Sequence, residues 1–273
     1  MRCRTIAITG LASAVMAFAQ ASAVNDTPAT VIGALERVVP GAPFSAELVT
    51  EVVQTLADGN HIKQTSTVTV ARDSNGRVRH GQSLSPLDPA SPKVLTVIRD
   101  PVAGVRYVID PDRQTIRRSG IKPPTSTGAI GVLQGIGVQE KAMSIASQSL
   151  ASWVSARAGA ALAASPRPEV TSLGTQLFEG VLATGAKAGV AVPPGPIGNE
   201  QTLTMTSEIW YSPELSAAVL IRNSDARFGE TIVRLRNIRR GDPDSSLFEI
   251  PAGYRLLGDG MPGAARAETR PRR

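Results

Sequence analysis

The sequence predicts a mainly β protein: a single strongly curved antiparallel sheet of about eleven strands, a half-barrel, with one or two helices packed on its concave face. Runs of period-two hydrophobicity recur at short spacing, separated by turn residues of the Asp-Gly and Asp-Pro kind. One central stretch changes to helical period. No repeat of about 20–50 residues is present, which argues against propellers and solenoids. A sheet of that length curls, and its hollow has to be filled.

Val31, Ile32, Leu35, Val38 and Val39 stand at helical spacing before Pro40-Gly41, which predicts a short amphipathic helix. From Phe44 the period becomes two. Phe44, Ala46, Leu48, Val52 and Leu56 point one way, while Ser45, Glu47, Glu51 and Thr55 point the other. Asp58-Gly59 supplies a hairpin turn, His61 to Arg72 the returning strand, and Asp73-Ser74-Asn75-Gly76 a second turn. Strands over Arg77–Leu84, Val94–Arg99, Val105–Ile109 and Arg113–Ser119 complete a six-strand meander. After a Pro, Gly and Ser-rich opening, Gln139 to Ala164 carries Met143, Ala146, Leu150, Trp153 and Val154 at helical spacing, the natural plug for the hollow. From Val170 about five more strands follow, broken at Glu179-Gly180, Pro193–Asn199, Ser212-Pro213-Glu214 and Asp225–Gly229. Asp242-Pro243-Asp244 then predicts a helical turn that inserts Leu247 and Phe248 into a core.

Arg2 and Arg4, the apolar run Ile6 to Ala19 and the Ala21-Ser22-Ala23 exit predict a signal peptide over residues 1–23, cleaved after Ala23. The expected location is periplasmic or secreted in a bacterium, soluble after cleavage, with no transmembrane span in the mature chain. Cys3, the single cysteine, leaves with the signal, so neither disulfides nor thiolate chemistry are expected. Of 273 residues 250 remain, enough for one domain over 24–257, with 120–168 as a loop and plug-helix insertion. Residues 258–273, with Arg266, Arg270, Arg272 and Arg273, are expected to be a disordered basic tail. Removing Arg2 and Arg4 lowers the formal charge by two, from +6 to +4, a modest excess. With aromatic residues at 4%, base-stacking rows are lacking, and nucleic acid is excluded as a partner.

Catalytic chemistry finds little material. His61 and His80 are the whole histidine supply, both expected at the surface, and no G-x-S-x-G elbow accompanies them. Two isolated histidines without cysteine do not make a zinc site, and neither a metal nor a cofactor is expected. Asp110/Asp112 and Asp242/Asp244 flank prolines and read as turns or caps rather than as an acid–base pair. Gly128, Gly131, Gly135 and Gly137 miss the phosphate-loop spacings and read as a flexible loop, with a lid over the hollow as the alternative. Arg77/Arg79, Arg106, Arg117/Arg118, Arg234/Arg236 and Arg239/Arg240 recur on several strands and are expected to share one convex, solvated face. Of these Arg77, Arg79, Arg234 and Arg236 are the candidates for contact with an anionic surface. Trp210 and Tyr211, adjacent in a strand, must face opposite ways.

The C-terminal third carries a resemblance. Ser172-Leu173-Gly174, Phe178-Glu179-Gly180-Val181 and Ala183-Thr184-Gly185 precede Glu208-Ile209-Trp210-Tyr211-Ser212-Pro213-Glu214-Leu215. Phe228-Gly229-Glu230-Thr231, Arg236-Asn237-Ile238, Asp242-Pro243-Asp244 and Leu247-Phe248-Glu249-Ile250-Pro251-Ala252-Gly253-Tyr254 close the series. This order resembles a group of uncharacterised exported bacterial proteins and, more remotely, the LolA/LppX-like lipoprotein-carrier half-barrels of the cell envelope. The likeness runs from Phe44 to Tyr254 and is weakest over Gly120–Pro168. It implies a non-enzymatic carrier or sensor that holds a lipid-like or other apolar small molecule between sheet and helix. The alternative is an interaction module that engages an envelope protein without a ligand site. No carrier functional residue maps onto a position here. The cavity lining expected from the helix and the late strands is Met143, Leu150, Trp153 and Trp210.

Overall fold

The computed structural model describes residues 39–56, 58–83, 94–121, 137–158, 168–195 and 198–257, without the side chains of 82–83 and 155–158. The expected signal segment and its cleavage point, the N-terminal helix apart from Val39, the glycine loop before Gly137 and the basic tail lie outside the described residues.

Twelve strands form one sheet in the order β12-β6-β5-β4-β3-β2-β1-β11-β10-β9-β8-β7. The first meander is β1 (Phe44–Thr55), β2 (His61–Arg72), β3 (Val78–Ser83), β4 (Val94–Asp100), β5 (Val105–Asp110) and β6 (Thr115–Gly120). A second meander is β7 (Glu169–Phe178), β8 (Val181–Val192), β9 (Leu203–Ser212), β10 (Ala217–Asp225) and β11 (Gly229–Arg240). Antiparallel pairing of β1 with β11 fuses the two, Leu48 standing opposite Leu235 and Thr50 opposite Val233. The ends of the order, β12 and β7, do not meet, so the sheet is open. This is the expected curved half-barrel with a single described α-helix, α1 (Val138–Ala158), between the meanders.

Turn chemistry explains the hairpins. Gly59 and Gly76 take φ of 81° and 80° in the two predicted turns, and Glu179-Gly180 takes 51° and 77° between β7 and β8. The twelfth strand, β12 (Arg255–Leu257), adds to the expected number. It is three residues long and pairs in parallel with β6, Leu256 opposite Ile116.

Register assigns the faces. Phe44, Ala46 and Leu48 stand opposite Arg72, Val70 and Val68, and the same face continues through Val233, Ile221, Ile209 and Ala186. Helix α1 lies on it, against β7, β8 and β9, and we call it the inner face. A second, smaller core lies on the outer face of the first meander. There Ala71, Ile98, Ile109 and Ile116 are covered by Phe248, with Leu247, Tyr107 and Tyr254 around it. The predicted helical turn is the 3-10 turn Ser245–Phe248, with Asp244 accepting from the Ser246 amide as its cap. It straps across the back of the sheet, pinned where the Ser74 amide and hydroxyl donate to the Asp242 carboxylate at 2.7 and 2.5 Å.

Candidate ligand-binding site

The inner face is apolar through its middle: Val190, Ile209, Ile221, Val233, Leu48 and Val70 are all buried. Over β7–β9 the hollow is filled. Ala142, Ala146, Leu150 and Trp153 form the buried stripe of α1, at intervals of three or four residues. The facing residues of β8 are Ala186 and Ala188, whose short side chains let the helix approach closely. The buried Ser207 hydroxyl donates to Ser149 Oγ at 2.9 Å, fixing the helix in rotation. Met143 is partly buried beside the same cluster.

Trp210 takes another place. Alternation along β9 puts Tyr211 on the inner face opposite Thr184 and Ala218, and turns Trp210 outward. Its indole lies over Gly185, packs against Phe178 with ring centres 5.1 Å apart, and donates from Nε1 to Glu208 at 2.7 Å. Met143, Leu150 and Trp153 are thus brought together, and Trp210 sits behind the sheet from them.

Near the start of α1 a hollow of about 90 Å³ remains between Lys141, Ile145, Tyr211, Ser216, Ala217, Ala218 and Val39. The Lys141 ammonium stands 4.9 Å from the centre of the Tyr211 ring. Pockets that enclose drug-sized molecules run to about 300–1,000 Å³, so this space suits a small polar group rather than an acyl chain.

Arg72 was legible as the end of a strand and nothing more. It is 0% exposed on the inner face; its Nε and Nη2 donate to the Ala42 carbonyl at 2.9 and 2.8 Å, and Nη2 also to the Leu215 carbonyl. Its guanidinium lies 4.9 Å from the Phe44 ring centre. Burial lowers its pKa to about 10, with Tyr211 acting in the opposite sense. His80, expected at the surface, is 2% exposed, because its strand turns it to the inner face between Val70 and Val97. His61 is exposed, in a 3.2 Å hydrogen bond with Thr55. Among the described residues no group of three or more His, Cys, Asp or Glu could hold a metal, and no helix is long and apolar enough to cross a membrane.

The arginines divide between the two faces, which corrects the single-face expectation. Arg79 stands opposite Ala71 and Ile98, and Arg234 and Arg236 opposite Val49 and Glu47, all outward. There they meet partners. Arg77 bonds Asp73 at 2.6 Å and stacks 4.8 Å from the Phe248 centre, while Arg79 reaches Thr69 at 3.4 Å. Burial lowers the Arg79 pKa. Arg234 pairs with Glu51, and Arg236 with Glu179 at 3.3 Å. Arg106 and Arg117 instead face inward, by the register of β4, β5 and β6: Arg99 opposite Arg106, and Val108 opposite Arg117.

No protein-family model matches the chain, and no curated protein matches it. Among solved structures, an uncharacterised conserved protein of Thermus thermophilus is similar at 8% identity with a TM-score of 0.39, over 84% of this chain and 96% of that one. The complex of Pseudomonas aeruginosa MucA and MucB is similar at 11% identity and a TM-score of 0.38, over 84% of this chain and 62% of that one. A LolA superfamily protein of Nitrosomonas europaea is similar at 11% identity and a TM-score of 0.29, over 81% and 96%.

Proposed function

We propose that this is a non-enzymatic protein of the bacterial envelope that holds a lipid-like or other apolar ligand against the inner face of its open sheet, as carrier or sensor. The observation that carries the reading is the extent of the apolar inner wall. It runs on from the strands under α1 to Leu48, Val70, Val78 and Val97 of the first meander, beyond β7–β9 where the helix lies. Leu150 and Trp153 fill the helix side, and Leu48, Val70, Val78 and Val97 are at most 1% exposed, so the ligand belongs farther along the first meander, toward the partly exposed Leu95 and Val108. The candidate lining therefore shifts from Met143, Leu150 and Trp153 toward those two residues. Native mass spectrometry of the purified full chain tests this. A co-purifying lipid, or one taken up from an envelope extract with one-to-one stoichiometry, is the expected result. A chain that stays empty in both overturns it.

A second reading has its own observation. The free edge of the sheet, β7, is exposed along most of its length, and Leu177 and Leu182 face each other across β7 and β8 at 66% and 50% exposure. An exposed edge with apolar side chains suits strand addition by an envelope protein. A partner captured by the intact chain and lost when Leu177 becomes Lys would favour that module over a carrier.

A further inference from the structure

The hollow beside the start of α1 gathers positive charge and hydrogen-bond donors that the fold leaves unused. Lys141 is half-buried, and its ammonium lies 4.9 Å from the centre of the Tyr211 ring. A ring face attracts the charge but takes up none of its donors as a strong acceptor would. Among the described residues no carboxylate or carbonyl receives this ammonium, and the Tyr211 hydroxyl has no hydrogen-bond partner. Tyr211 is only 5% exposed. A hydroxyl so placed needs an acceptor, and the hollow is where one can stand.

Arg72 adds a second charge from behind the lining. Its Nε and Nη2 are taken by the Ala42 and Leu215 carbonyls, and Leu215 directly precedes Ser216, which lines the hollow. Nη1 is enclosed and has no partner. Burial lowers the Arg72 pKa to about 10 and Tyr211 acts against it, so the same phenol neighbours both cations. No carboxylate lines the space. Glu140 turns back against Gly137, and Glu214 is engaged by Arg240. Walls of low polarity focus such an uncompensated field on whatever occupies the hollow. Size narrows the occupant. A dry cavity of about 150 Å³ admits benzene, so the space of about 90 Å³ admits a group of about four heavy atoms. A carboxylate on one carbon has that size, and its single charge matches the one ammonium in direct reach. Phosphate is larger and more highly charged.

We propose that this hollow binds a carboxylate, one oxygen accepting from the Lys141 ammonium and the other from the Tyr211 hydroxyl, with the Arg72 charge behind them. The site goes beyond the carrier function and needs no apolar wall. Two sources share this chemistry, a small free acid and the carboxyl end of an acyl chain. The full chain is titrated with acetate, octanoate, octanol and inorganic phosphate, followed by calorimetry and by the NMR shifts of the Ala217 and Ala218 amides. The variants are Lys141→Gln, Tyr211→Phe and Lys187→Gln, the last removing the same charge from an exposed, outward position of β8. The carboxylate is expected to bind at least about tenfold more tightly than octanol or phosphate, from one or two charged hydrogen bonds. Lys141→Gln should erase that preference, Tyr211→Phe should reduce it, and Lys187→Gln should leave it.

Acetate binding as tightly as octanoate supports the site with a small acid as its source, and octanoate binding far more tightly supports it with a chain-borne carboxyl. Octanol matching octanoate, phosphate exceeding both carboxylates, or an affinity untouched by Lys141→Gln overturns the proposal. So does binding that leaves Ala217 and Ala218 unshifted, or no binding of either carboxylate. These last outcomes leave the question of a lipid along the first meander where it stood. Thermal unfolding establishes that the variants fold. If Lys141→Gln does not, the wild type decides, because a carboxylate affinity that does not fall with added salt also overturns the proposal.

Discussion

Gly185→Ala is expected to destabilise the protein although it adds a single methyl group to a strand. Gly185 lies beneath the Trp210 indole, and a Cβ built there would stand 2.7 and 2.8 Å from three ring carbons. Ordinary contact needs about 3.5 Å or more, so the ring would have to move by most of an ångström. Its exits are blocked: Phe178 packs 5.1 Å away and Glu208 holds Nε1 at 2.7 Å. Overpacking of this kind costs about 1–3 kcal/mol. Against it stands the gain from replacing a strand glycine, about 0.5–1 kcal/mol. The net loss is about 1–2 kcal/mol, or about 2–8 °C in Tm for a chain of this size. Gly189→Ala is the internal control, since in the same strand its Cβ would meet nothing nearer than Thr206 Cγ2 at 3.7 Å; it should be neutral or slightly stabilising. Thermal unfolding followed by far-UV circular dichroism, with tryptophan emission reporting on the indole, measures both. A Gly185→Ala protein as stable as Gly189→Ala would refute the packing account, as would an unchanged cost in a Trp210→Leu background.

Leu150→Ala, at 1% exposure between α1 and the sheet, should cost about 3 kcal/mol, whereas the nearly isosteric Leu150→Met should cost less than about 1.5 kcal/mol; urea unfolding separates the two. The strap predicts a pH effect. The Ser74 hydroxyl, then the Ser74 amide, hold the Asp242 carboxyl below the ordinary range. A lowered folded pKa means that this contribution is present above the unfolded value of about 3.9 and is lost as pH falls through the folded one. On acidification below about pH 4 the wild type should therefore lose more Tm than Asp242→Asn, and parallel curves would remove the strap from acid unfolding.

The strands were legible because each carries its own alternation. In β1 the residues Phe44, Ala46 and Leu48 are buried and Glu47 points out, as the period-two pattern requires. Asp58-Gly59 and Glu179-Gly180 were legible as turns because positive φ restricts the residues that can stand there. What alternation cannot supply is the phase between strands. It says that Trp210 and Tyr211 face opposite ways, but which one faces α1 depends on Tyr211 falling opposite Thr184, a fact of register. The arginines were misassigned for the same reason, since the pairing of Arg106 with Arg99 rather than with its neighbour decides the face. The joining of β1 to β11 and the three-residue β12 rest on long-range contacts with no local signature.

Two inward arginine sites of the first meander call for different explanations. Arg72 is buried and among the described residues pairs with no carboxylate, which is unfavourable for a guanidinium. Its carbonyl partners explain it. Ala42 precedes β1 and Leu215 lies in the β9–β10 turn, so one side chain ties the entry of the first meander to a turn of the second, across the seam where β1 meets β11. Charged hydrogen bonds of about 1.5–3 kcal/mol each can offset the desolvation. Arg106 and Arg117 have no such partners among the described residues. They hold no turn and join no strands beyond the ladder they belong to. A structural role would put a carbonyl or carboxylate in front of them, as it does for Arg72 and for Arg234 with Glu51. Both are half-buried rather than buried, so water satisfies their donors and neither charge is stranded.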